Sequence, residues 1–163
     1  MAKQDSKDAL VEIAECTKAI RLNPENAEAY FNRAEAKADL NDSKGAIEDY
    51  TKAIELNPEF AGAYYYRRGL TKGKLEDLQG AIEDYTKAIE LLPNLFDAYS
   101  TRGVTKDKLG DKEGACRDWV RASELGDKDA SELLKKYSTE QIEQLLNPQA
   151  KHPVEHTPRF RQP

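Results

Sequence analysis

Histidine is nearly missing from this sequence, which removes most hydrolytic and metal chemistry at the outset. The only two, His152 and His156, stand near the C-terminus with Pro153 between them. A His-x-x-x-His pair grips a metal only on an unbroken helix, and no third ligand accompanies it. No metal and no cofactor is therefore expected. Glycine-rich phosphate loops are absent, the nine glycines being scattered. No apolar run approaches the roughly 20 residues that span a bilayer. The opening Met1-Ala2-Lys3-Gln4-Asp5 lacks the apolar stretch of a secretory signal, so a cytoplasmic location is expected. A basic excess is lacking too. The net charge of -5 argues against a nucleic-acid partner.

Charged residues are plentiful, at 34% against 39% hydrophobic. That balance suits an elongated fold with a thin core. The dominant feature is repetition. Gly45-Ala46-Ile47-Glu48-Asp49-Tyr50-Thr51-Lys52-Ala53-Ile54-Glu55-Leu56 recurs unchanged at Gly80–Leu91. A diverged copy begins at Gly114-Ala115-Cys116-Arg117-Asp118-Trp119. Prolines at 24, 58 and 93 keep the same beat, and Thr17–Pro24 matches only the end of the unit.

Each unit reads as two helices with apolar residues at helical spacing, as in Ala46, Ile47, Tyr50, Ala53 and Ile54. First helices are expected near Ala27–Asp39, Gly62–Lys74 and Phe96–Lys108. Second helices are expected near Ser43–Leu56, Leu78–Leu91 and Lys112–Leu125. Asp42, Asp77 and Asp111 precede the second helices as N-caps. The prolines lie near the starts of the first helices. Small residues recur where helices approach, at Ala34, Gly69 and Gly103 and at Ala46, Ala81 and Ala115. Large ones recur where gaps need filling, at Tyr30, Tyr65, Tyr99, Tyr50, Tyr85 and Trp119. Between Pro58 and Tyr65 there is one residue more than in the other units. It is expected to lengthen the turn or bulge the helix start.

This small–large pattern ending in proline resembles the tetratricopeptide repeat (TPR) over about residues 9–126. The resemblance implies an all-α, right-handed superhelical solenoid of antiparallel helix pairs. The divisions expected are a half repeat at 5–22, full units at 23–57, 58–92 and 93–126, capping helices at 127–146, and a Pro-rich tail at 147–163. The cap places Leu133, Leu134 and Tyr137 inward on a helix Lys128–Tyr137. Ser138-Thr139-Glu140-Gln141 resembles a capping box that opens a short helix to Leu146 or continues the previous one. Cys16 and Cys116 sit at apolar helix positions as small core residues. Lying three repeats apart, they cannot approach to the roughly 7 Å that a disulfide needs.

In the half repeat, Ile13, Cys16 and Ile20 have lost a neighbouring helix, leaving an apolar edge. Glu48-Asp49 and Glu83-Asp84 look like paired carboxylates. Their repetition is read as a solvated helix face rather than a catalytic pair. Tyr64-Tyr65-Tyr66 would suit base stacking, but the register makes Tyr65 core. The tail, with Lys151, Arg159 and Arg161 against Glu155, reads as an extension or a docking peptide.

The resemblance further implies a peptide groove lined by first helices. The positions so placed are Phe31, Asn32 and Glu35, then Tyr66, Arg67 and Leu70, then Thr101 and Val104. Phe31, Tyr66, Leu70 and Val104 would supply apolar contact, with no evident structural duty. Asn32, Arg67 and Thr101 would hydrogen-bond the ligand. Some TPR proteins clamp the C-terminal carboxylates of chaperones with five polar groups. Asn32 and Arg67 match two of the five, Ala63 stands where lysine is expected, and the first helix of the pattern is missing. Arg33, Arg68 and Arg102 recur at one position, which points to a structural duty. The function expected is a non-enzymatic adaptor that binds a protein or peptide. Self-assembly into a homo-oligomer through the N-terminal edge or the tail is the alternative.

Overall fold

The computed structural model describes residues 2–137 and 139–146, and all regular structure among them is helical. Ser138 of the expected capping box lies outside the described residues, as does the tail with His152 and His156. The helices are α1 (Ala2–Leu22), α2 (Ala27–Asp39), α3 (Ser43–Leu56), α4 (Ala61–Lys74), α5 (Leu78–Leu91), α6 (Phe96–Lys108), α7 (Lys112–Glu124), α8 (Lys128–Leu134) and α9 (Thr139–Leu146). Each packs on the next as far as α8, and α9 returns to α7. This is a solenoid, held by contacts between neighbours.

Two kinds of turn alternate from α1 to α7, and a further tight one then joins α7 to α8. The tight kind is a Leu-x-Asp tripeptide: Leu40-Asn41-Asp42, Leu75-Glu76-Asp77, Leu109-Gly110-Asp111 and Leu125-Gly126-Asp127. The middle residue is left-handed each time, with φ of 61°, 60°, 85° and 101°. The aspartate then caps the next helix. Asp42, Asp77 and Asp111 accept from the N–H groups of Gly45, Gly80 and Gly114 at 3.0, 3.0 and 2.9 Å. The second kind carries Pro24, Pro58 or Pro93, each within the turn and three residues before the following helix. The extra residue after Pro58 does not lengthen that turn. It is absorbed as one more helical residue, so α4 has 14 residues where α2 and α6 have 13.

The core alternates small and large side chains as expected. Ala34, Ala46, Ala81 and Ala115 are fully buried, and Tyr50, Tyr85 and Trp119 fill the space beside them. A Cβ at Gly69 would lie 2.7 Å from Tyr85 Cε1, and one at Gly103 would lie 2.6 Å from Trp119 Nε1. Both glycines are therefore demanded by close approach. Cys16 and Cys116 are buried free thiols, raised above their ordinary pKa chiefly by burial.

A polar ladder runs beside this core. Arg33 Nε and Nη2 donate to both oxygens of Asp49 at 2.8 and 2.7 Å. Its Nη1 donates back to Thr17 Oγ1 at 3.2 Å. Lys37 Nζ pairs with the same Asp49 at 2.7 Å. The arrangement repeats as Arg68–Asp84 with Thr51 and Lys72, and as Arg102–Asp118 with Thr86 and Lys106. Each guanidinium also lies over a tyrosine ring, Tyr30, Tyr65 or Tyr99, at 5.2–5.8 Å. Asp49 and Asp84 are thus not on a solvated face, being only 4% and 3% exposed. They recur because each unit needs its own counter-charge for a half-buried arginine and lysine.

Two further expectations need correcting. At the N-terminal edge Cys16 is buried, and Ile13 and Ile20 are half-buried against the stack. The exposed apolar residues there are Leu10, Val11 and Leu22. At the other end α8 stops at Leu134, three residues before Tyr137, while α9 is the separate short helix to Leu146, one of the two expected arrangements. Leu133, Leu134 and Tyr137 nonetheless pack on Ala115, Trp119, Ala122 and Ala130 as a cap.

Candidate functional site

A groove of about 460 Å³ crosses α2, α4 and α6. Ala38 and Asp39 form one wall. Arg67, Leu70, Gly73 and Lys74 form the middle, and Thr101, Val104 and Lys108 the far wall. Its floor comes from the helices behind, through Tyr50 and Tyr85. One helix supplies several wall residues because positions three and four apart share a face.

Four of the expected groove residues meet here: Arg67, Leu70, Thr101 and Val104. The other four are placed differently. Phe31 packs its ring 4.8 Å from Tyr64 and 5.8 Å from Tyr50, so it holds α2 against α3 and α4. Tyr66 lies 6.0 Å from Tyr85 and is pushed above its ordinary pKa chiefly by burial. Both have structural duties that their varying positions did not reveal. Asn32 lines a separate pocket of about 230 Å³ with Cys16, Asn26 and Glu28. Glu35 joins Tyr50 and Arg67. Tyr50 donates its hydroxyl to Glu35 Oε1, and Arg67 Nε donates to the same oxygen at 2.8 Å. Arg67 Nη2 pairs with Glu35 Oε2. Burial pushes Tyr50 up to about 12, so it remains a donor at any ordinary pH.

Among the three consecutive tyrosines, Tyr64 is the buried one, while Tyr65 and Tyr66 are half-buried. The expected order, with Tyr65 as core, is therefore wrong. Tyr65 instead lies under the Arg68 guanidinium. Sequence reasoning also missed Tyr50, Thr71, Tyr85 and Thr105 as groove residues. They come from the floor and from helix faces that look fully internal in a register. Lys74 and Lys108, at one repeat position in α4 and α6, have no ion-pair partner among the described residues. No group of histidine, cysteine and carboxylate side chains among the described residues is arranged to hold a metal. No described helix is long and apolar enough to cross a membrane.

Paired helices, identical capped turns and a shared groove define a class, the helical-repeat solenoids. The family model for the tetratricopeptide repeat matches residues 27–60 and 63–95. Two tetratricopeptide repeats are thus present in this chain, and the same helix-pair pattern continues through α6 and α7. Among solved structures it is similar to MamA, at 27% identity and TM-score 0.66, covering 77% of this chain and 70% of that one. It is similar to the first TPR of Spaghetti (RPAP3) bound to the HSP90 peptide SRMEEVD, at 25% identity and TM-score 0.64, covering 74% and 92%. It is also similar to the TPR domain of Arabidopsis OM64, at 28% identity and TM-score 0.64, covering 69% and 93%. No curated protein matches it in sequence.

Proposed function

We propose that this chain is a protein-interaction adaptor that holds a segment of a partner protein in the groove across α2, α4 and α6. The observation that carries the reading is that Arg67, Leu70, Thr101 and Val104 line one open groove. Their positions vary from unit to unit, while the repeating ones stack the helices. Val104 stays 38% exposed there although it is apolar. The similarity to a TPR domain whose structure holds a peptide supports the same reading.

Selection of a random displayed-peptide library on the immobilised protein tests it. Val104→Arg, at an exposed position, should leave the melt unchanged and cost the selected peptides at least about tenfold in affinity. Peptides that bind this variant as well as the parent would move the binding surface elsewhere.

A second reading rests on α1. Leu10, Val11 and Leu22 are 59%, 57% and 79% exposed. A second copy could cover them, giving a homo-oligomer. Light scattering behind gel filtration decides. A monomer at every concentration, unchanged by Leu10→Glu with Val11→Glu, removes this reading.

A further inference from the structure

The groove contains an internal example of how this fold binds a carboxylate. In α2 the Glu35 carboxylate accepts from the Tyr50 hydroxyl and pairs with Arg67. One unit later the position of Glu35 is Leu70, and that of Tyr50 is Tyr85. Tyr85 is only 2% exposed, yet its hydroxyl has no hydrogen-bond partner among the described residues and faces the groove. The hydroxyl opens onto the groove rather than being sealed in the core, so an acceptor in the groove can reach it.

Gly73 sits directly over it. A Cβ there would have Tyr85 Oη as its nearest neighbour, at 3.7 Å, an ordinary contact. Every other glycine has a structural reason. A Cβ at Gly62 would strike the Leu92 side chain just past α5, one at Gly69 or Gly103 would strike Tyr85 or Trp119, and one at Gly45, Gly80 or Gly114 would strike the capping aspartate. Gly110 and Gly126 have positive φ. Only Gly73 is neither crowded nor left-handed, and a helical glycine is unfavourable relative to alanine. What it leaves is open space between the groove and the Tyr85 hydroxyl. Lys74 and Lys108 add two unpaired ammonium groups at the same place.

We infer that this recess beneath Gly73 receives an aspartate or glutamate side chain of the bound segment. That carboxylate stands to Tyr85 as Glu35 stands to Tyr50, and Lys74 and Lys108 supply its counter-charge. Asp39 and Glu76 also border the groove. They restrict the acidic preference to the one residue that reaches the recess. The inference rests on the adaptor reading and names the chemistry that the groove selects.

The test uses two displayed peptide libraries with randomised flanks, one fixed with Glu at the centre and the other with Gln. Both are fused at their C-termini, so neither offers a free terminal carboxylate. The Glu library should yield binders at least about tenfold tighter than the Gln library. Tyr85→Phe, Gly73→Ala and the Lys74→Gln, Lys108→Gln pair should each abolish that preference. Gly73→Ala should also melt about 2–4 °C higher, and Tyr85→Phe no lower than the parent. Equal binders from both libraries, or a preference that survives Tyr85→Phe, would overturn this inference and leave the groove as a site. A lower melt for Gly73→Ala would show that packing demands the glycine, and would overturn it too. No binders from either library would overturn the adaptor reading itself.

Discussion

Asp84→Ala is the perturbation that probes the scaffold most directly. Asp84 accepts from Arg68 Nε at 2.8 Å and Nη2 at 2.7 Å, and pairs with Lys72 Nζ at 2.9 Å. Its side chain is 4% exposed, and those of Arg68 and Lys72 are 15% and 19% exposed. Removing it leaves two cations in a partly dry setting with no counter-charge. Breaking a buried pair costs about 3–5 kcal/mol, and the residual hydration of the two cations places this case near the lower end, at about 3 kcal/mol. Glu83→Ala, one residue away on the exposed face, should stay within about 0.5 kcal/mol. Urea melts of the two variants measure the difference. Amide exchange should show the loss concentrated in α4, α5 and their neighbours, since contacts in a solenoid reach only the next helix. A double-mutant cycle with Arg68→Ala should give a coupling above about 1 kcal/mol. A cost for Asp84→Ala below about 1 kcal/mol, or equal to that of Glu83→Ala, would refute the view that the ladder holds the stack.

Trp119→Ala, at a position 2% exposed under Tyr137, should cost about 3–5 kcal/mol in denaturant melts and release α8 and α9 first. Glu76 is a non-glycine at φ 60° where the next unit has Gly110, so Glu76→Gly should raise stability by about 1 kcal/mol, read as a higher urea midpoint. Burial alone would raise the pKa of Asp49, but hydrogen bonds from Arg33 and Lys37 outweigh it and hold the group below the ordinary value. Its contribution is therefore complete above the unfolded value of about 4 and is lost as pH falls through the lower folded value. Acid titration of stability should show a shallower loss in Asp49→Asn than in the parent.

Much of the scaffold was legible because it repeats. The repeated Asp, Tyr, Thr and Ala residues, the capping aspartates and the small–large alternation map onto observed contacts. The misreadings have physical causes. Asp49 and Asp84 read as a solvated face in the sequence because a charge recurring on a helix usually is one. The stronger signal was their constant separation from Arg33 and Arg68, sixteen residues in each case. Tyr64 was missed because the recurring tyrosine is not the core position in any unit: Tyr30, Tyr65 and Tyr99 are half-buried under their arginines, and the residue before each, Ala29, Tyr64 or Ala98, is the buried one. The groove was only partly legible. A position that varies between units is free of stacking, as at Leu70 and Val104, or is filled by a local contact, as at Phe31 and Tyr66. Sequence variation does not separate the two. The Tyr85 hydroxyl stood out only once the Glu35–Tyr50 contact supplied a comparison.

The backward reach of each arginine gives the array a grammar for splicing. Arg68 finds Thr51 in the preceding helix pair, and Arg102 finds Thr86. At the equivalent place in α7 stands Val120, which offers no hydroxyl. A duplicate of residues 58–92 inserted after Leu92 would give its arginine Thr86 and would present its own threonine to Arg102. The same duplicate appended after α7 would set its arginine against the methyl groups of Val120. Interior duplication thus keeps the arginine–threonine link at both junctions while addition after α7 loses it, so longer versions should be built by interior duplication.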